Sequence, residues 1–224
     1  MPTLITLGEP LIGLVAREYG PLAEAATFQA HVVGAELNVA VGVARLGHST
    51  AFIGRVGDDG FGTAILRRLR AEGVDTSWLV VDAKAPTGLL VREKRAFGPA
   101  EVDYHRDRSA GSRLDPVDVD AAASAITSAD WLHLTGITPA LSSSAQAAVW
   151  RAIELVTTVG HDRRPVISFD INLRRKLWNE RNASSVLRPL IARADIVFSG
   201  VDEAEVIVGP KSGISGVDAS ALGR

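Results

Sequence analysis

The sequence contains no cysteine, which excludes disulfide cross-links, thiolate metal sites and cysteine nucleophiles. Neither sign of charge is in excess: 24 basic and 26 acidic residues leave a net charge of −2, so nothing marks a nucleic-acid or acidic-membrane partner. No apolar run approaches the ~20 residues that span a bilayer. The stretch 1–18 has no basic opening and meets an acid at Glu9, so it does not read as a signal peptide, and a cytoplasmic location is expected. The five histidines, at 31, 48, 105, 133 and 161, share no metal-binding spacing. No Gly-x-Ser-x-Gly elbow occurs, and Gly209-Pro210-Lys211-Ser212 lacks the leading glycine of a phosphate-binding loop.

What is there is 224 residues of ordinary globular composition, 46% hydrophobic and 22% charged, enough for one large domain. Short apolar runs at Thr3–Leu7, Thr50–Val56, Trp131–Thr135, Val166–Asp170 and Ile196–Ser199 predict strands. Helical spacing covers Glu36–Leu46, Phe61–Glu72, Ser142–Val159, Ala183–Arg193 and Asp202–Val208, with Gly47 and Gly73 as natural stops. This alternation predicts an α/β fold with a mostly parallel sheet flanked by helices. Two regions break it. Residues 26–33, and 78–106 (WLVV, TGLLVREK, EVDYHR), read as strands without helices between them, and predict a small antiparallel lid sheet. The tail, residues 211–224, carries no strong pattern.

Ligands of open parallel sheets sit beyond the carboxyl ends of the strands. That edge would be lined by Gly8-Glu9, Gly136, Asp170-x-Asn172 and the 199–205 turn. Gly34-Ala35-Glu36-Leu37-Asn38 opens a helix and brings free backbone N–H groups and Asn38 near a polar ligand. Tyr104-x-Arg106 at a strand end offers a hydroxyl and a guanidinium fork suited to a carboxylate. Asp170-x-Asn172-x-Arg174 ends another strand, and Asp202-Glu203-Ala204-Glu205 begins a helix. Plainer readings stand beside these: a turn without a ligand at 34–38, an exposed strand end at 102–106, a turn cap and a surface charge at Asp170 and Arg174, and an acidic first helical turn at 202–205.

Taken in order, Gly8-Glu9-Pro10, the 34–62 stretch ending Gly57-x-Asp59-x-x-Gly62, the 86–112 stretch, Asp170 to Trp178 and the 199–205 turn resemble ribokinase-like (PfkB) carbohydrate kinases over roughly residues 3–210. The pattern is most similar to the 2-keto-3-deoxygluconate kinase branch. The resemblance implies a ribokinase-like α/β fold and ATP- and Mg2+-dependent phosphorylation of a sugar-acid hydroxyl. By the same resemblance, Gly34 and Asn38 bind sugar hydroxyls, and Tyr104 and Arg106 hold the acid. Arg174 meets the acid or the transferring phosphate, and Asp170 and Asn172 border sugar and phosphate. Glu205 belongs to an Asn-x-x-Glu element, with Asp202 in place of the Asn, that organises magnesium and phosphate through water. No residue is a direct metal ligand, and a homodimer through the lid is implied.

The sequence departs from that pattern at Leu90 and His105, where tyrosines are usual, and near Gly13, where ribose kinases carry a carboxylate. The family's base, an Asp in a Gly-Ala-Gly-Asp turn, has no counterpart in the 224 residues. Residues 1–224 therefore read as a single incomplete domain whose C-terminal nucleotide-binding part is missing, an inactive truncated copy that holds a sugar acid better than it phosphorylates one. A fructokinase-type enzyme and a non-catalytic sugar-acid-binding module are the alternatives.

Overall fold

Residues 3–160, 163–178 and 180–208 are described by the computed structural model of the chain. In order they form β1 (Thr3–Leu7), β2 (Leu11–Tyr19), β3 (Phe28–Val33), α1 (Ala35–Arg45), β4 (Ser49–Gly57), α2 (Gly60–Ala71), β5 (Val74–Asp75), β6 (Leu79–Asp82), β7 (Leu89–Lys94) and β8 (Val102–His105). There follow α3 (Pro116–Ala121), α4 (Ala123–Ser128), β9 (Trp131–Thr135), α5 (Ser143–Thr157), β10 (Val166–Asp170), α6 (Glu180–Ile191), β11 (Ile196–Phe198) and α7 (Val201–Val208). No helix among the described residues is long and apolar enough to cross a membrane.

Seven strands make a parallel sheet in the order β11-β10-β9-β1-β4-β5, with β6 also on β4. Side chains alternate across a strand, and both faces of this sheet are apolar near its centre. Ile5, Leu7, Ile53, Leu132, Leu134, Ile167 and Phe169 pack under α5 and α6 through Ala148, Ala152, Ala183 and Leu187. Phe52 and Val56 face the other way, against Leu37 and Ala40 of α1 and Ile65 and Leu69 of α2. Parallel strands put all their carboxyl ends on one edge, and the second sheet springs from that edge.

The second sheet has four strands in the order β3-β2-β7-β8. It differs from the sequence expectation in three ways. Its central strand, β2, was not expected at all: Gly8, Pro10 and Gly13 interrupt the apolar stretch of residues 3–16. Its middle pair is parallel, Ile12 facing Leu89, because the chain leaves the sheet after β3 and returns through the main sheet before β7. Trp78-Leu79-Val80-Val81, expected in the lid, instead supplies β6, which pairs with Gly54–Gly57 of the main sheet. β4 runs nine residues and outlasts β5, which meets only Thr50 and Ala51, so its far end is open to β6. The expected Gly-Pro-Lys-Ser stretch and tail lie outside the described residues.

On the α1 side, the backs of β9 and β10 bear on a groove of about 830 Å3 lined by Leu4, Val39, Val43, Trp131, His133, Ser168 and Phe198 among others. Trp131 Nε1 donates to Ser168 Oγ at 2.7 Å, and His133 Nδ1 lies 2.9 Å from the same oxygen. The Ser168 hydroxyl thus ties the indole and the imidazole of β9 to β10. His133 Nε2 is buried with no partner among the described residues.

Candidate active site

Buried acids stand at the junction of the two sheets. Glu9 follows β1 directly, and its side chain is fully buried. Arg106 donates from Nε to Glu9 Oε2 at 2.7 Å and pairs again through Nη2, while Ser109 Oγ donates to Oε1. Burial pushes the Glu9 carboxyl up, and Arg106 and Ser109 pull against it. Glu36, in the first turn of α1, accepts from Thr135 Oγ1 and Thr138 Oγ1, each at 2.6 Å. Burial raises its carboxyl as well, against those hydroxyls. Gly8 lies on this carboxyl so closely that a Cβ there would sit 2.4 Å from Glu36 Cδ.

A cleft of about 630 Å3 opens between the second sheet and the segment that follows β10. Glu93, Arg95, Val102 and Tyr104 line one wall, and Leu173, Arg174, Arg175 and Lys176 the other. Lys176 Nζ crosses to the Val102 carbonyl at 2.5 Å and ties the walls together. Arg95 pairs with Glu93. Trp178 Nε1 holds the segment down by donating to the Gly136 carbonyl at 2.8 Å.

At the root of that segment Asn172 adopts φ 41°, a left-handed conformation that asparagine tolerates. Its Nδ2 donates to Asp170 Oδ2 at 3.0 Å, and its N–H to Oδ1 at 3.1 Å. Burial and then the charge of Glu203 raise the Asp170 carboxyl, with Asn172 and Arg174 opposing. Glu203 accepts from Leu173 N–H at 2.8 Å and Gly200 N–H at 2.9 Å.

The expected residues therefore divide. Tyr104 and Arg174 share the cleft, and Asp170 and Asn172 stand at the end of β10 beside it. Gly34 and Asn38 open α1, where Asn38 N–H bonds the Gly34 carbonyl at 2.9 Å; neither lines the cleft. Arg106, expected to hold an acid directly, is 7% exposed and is engaged by Glu9. Glu205 is exposed on α7, and Glu203 is the acid that reaches Asp170's surroundings.

The sequence motifs contain Glu9, Glu36, Ser109 and Glu203 but give none of them a role of its own. Their common signal is a charged or hydroxyl residue set against glycine at a strand or helix end: Gly8-Glu9, Gly34-Ala35-Glu36 and Ser109-Ala110-Gly111.

A profile of the pfkB family of carbohydrate kinases matches residues 1–222. The chain belongs to that family. Among curated pfkB-family relatives it is 40% identical over 213 residues to a 2-dehydro-3-deoxygluconokinase of Thermoproteus tenax, covering 93% of this chain and 62% of that one. It is 37% identical over 210 residues to a 2-dehydro-3-deoxygluconokinase of Bacillus subtilis, covering 93% and 63%. A crystal structure of a PfkB protein from Polaromonas sp. JS666 superposes with a TM-score of 0.87 at 36% identity, covering 94% of this chain and 69% of that one. The chain thus spans about 62% of the length of these curated pfkB-family relatives.

Proposed function

We propose that this chain is the sugar-binding part of an ATP-dependent sugar-acid kinase of the 2-keto-3-deoxygluconate type. The observation that carries the reading is the cleft of about 630 Å3 with Tyr104 on one wall and Arg174 and Lys176 on the other. Arg174 supplies a planar, permanently charged fork for the acid, and Tyr104 a hydroxyl and a ring face for the sugar. Names of the curated relatives agree with that substrate class.

Phosphoryl transfer needs a positioned hydroxyl, a base for its proton, and cations and N–H groups about the moving phosphoryl. In this reading the phosphate would meet Asp170, Asn172 and Glu203, which stand at the root of the segment that lines the cleft. The base and most of the nucleotide pocket belong, in this proposal, to a region the longer relatives have and these residues do not. Magnesium chemistry fits Asp170 and Glu203 in part: two carboxylates that repel each other would be relieved by a divalent cation. No group of three or more candidate ligands converges among the described residues. The ion would rest on phosphate and water with this pair outside them, rather than in a protein cage.

Titration calorimetry of the purified chain with 2-keto-3-deoxygluconate, without nucleotide, tests the reading. Binding is expected, and Arg174→Ala should weaken it about tenfold, the worth of one charge-assisted hydrogen bond. No heat with the sugar acid, or tighter binding of fructose, would overturn it. The transfer half is tested by a coupled ATP assay, on both sugars, of the chain extended to the relatives' length.

A further inference from the structure

The chain crosses between the two sheets four times, and all four crossings meet at one residue, three of them at its side chain and one at its backbone carbonyl. The first, residues 8–10, carries Glu9 itself. The second is at Gly34, where a Cβ would stand 3.0 Å from the Glu9 carbonyl oxygen. At the third, a Cβ on Gly88 would stand 2.5 Å from Glu9 Oε1. In the fourth, Arg106 and Ser109 donate to the carboxylate and a Cβ on Gly111 would stand 2.2 Å from Glu9 Cγ. The third and fourth are also laced together by Ala110 N–H to the Pro86 carbonyl at 2.8 Å. Glycine recurs because any side chain would displace Glu9 from this junction.

Beyond Glu9 lies a short relay. The Arg106 guanidinium carbon lies 5.6 Å from the centroid of the Tyr104 ring, within range for a cation–π contact. Tyr104 in turn lines the cleft. Glu9 itself does not line that cleft, so it cannot act on a ligand there except through its neighbours.

We infer that Glu9 is a positioning residue: it pins the four crossings, fixes the Arg106 guanidinium, and through it sets the Tyr104 ring at the cleft wall. The link to sugar binding rests on the proposed function above; the link to Tyr104 does not. Specificity for an acid then depends on a residue that never touches it.

The sequence contains two tyrosines, Tyr19 and Tyr104, so a 3-fluorotyrosine-labelled chain gives two fluorine signals. Tyr19, with Lys94 Nζ 4.4 Å from its ring centroid, is the internal reference. Glu9→Gln keeps the shape and removes the charge. It should shift and broaden the Tyr104 signal and leave Tyr19 in place. Amide exchange at Val102–His105 should rise about tenfold, as loss of a charge-assisted hydrogen bond implies, with β9 and β10 unchanged.

An unmoved Tyr104 signal would overturn the inference, and so would exchange rising equally in β9 and β10, which is what general destabilisation produces. If Glu9→Gln does not fold, Ser109→Ala removes one hydrogen bond from the same carboxylate. A smaller shift of the Tyr104 signal is then expected, and no shift is the contrary result. In calorimetry Glu9→Gln should weaken 2-keto-3-deoxygluconate binding. A wild-type chain that binds no sugar acid would sink the functional reading and leave the fluorine signals to decide this one.

Discussion

Arg106→Ala is expected to lower the unfolding free energy by about 3–5 kcal/mol, the usual cost of leaving one partner of a buried ion pair alone. The Glu9 side chain is fully buried, and with the guanidinium gone only Ser109 donates to it among the described residues. The loss should appear as a lower urea midpoint with an unchanged slope. Arg151→Ala is the matching control. That side chain pairs with Asp120 but is 37% exposed, and exposed pairs contribute at most about 1 kcal/mol. Equal losses in the two variants would show that the Glu9 pair is an ordinary surface contact. Because Arg106→Ala also disturbs Tyr104, its effect on ligand binding cannot be assigned to a direct contact. Arg174→Ala is the cleaner test of the cleft.

The second large effect is a dependence on pH. Burial lowers the His133 pKa from 6.5 to about 4. The unfolded chain takes up the proton near pH 6.5 and the folded chain resists it until about 4, so stability falls as pH drops through that window. By pH 4.5 the loss from this one residue reaches about 2.5 kcal/mol relative to pH 7.5. Glu9, Glu36 and Asp170 act in the opposite sense, since carboxyls raised by burial gain stability on protonation. The net slope mixes the two. Urea unfolding of wild type and His133→Phe at both pH values separates them: the wild type should lose about 2.5 kcal/mol more than the variant on acidification. Parallel pH profiles would mean that His133 is hydrated or finds a partner for Nε2.

Much of the main sheet was legible because its strands are short apolar runs bounded by turns. Thr3–Leu7, Trp131–Thr135 and Val166–Asp170 are β1, β9 and β10 to the residue. Sheet membership was not legible. A run such as Leu79–Asp82 shows that it is extended, while its partner is set by how far β4 outlasts β5. Tyr104 and Arg174 could be chosen from their positions at strand ends. The partner of Arg106 could not, since Glu9 lies 97 residues away and no local spacing connects them. Glu203 and Glu205 separate on helix register. Gly200 precedes α7, so Glu203 occupies the third helical position and reaches back to the Gly200 N–H, the half of a capping box that a glycine cap leaves. Glu205 has passed that turn and faces solvent.

The parallel pairing of β2 with β7 sets an order on folding. Ile12 and Leu89 are adjacent in the second sheet, yet the main-sheet strands β4, β5 and β6 and two helices lie between them in the chain. Closing so long a loop is entropically costly until the intervening segment is itself compact. The second sheet is therefore expected to gain protection after β1 and β4, and not to form from residues 86–106 alone. Pulse-labelled exchange during refolding would reveal this order, and β2 protected before β4 would contradict it. The sheet that carries Tyr104 is thus the part that depends on the rest having folded first.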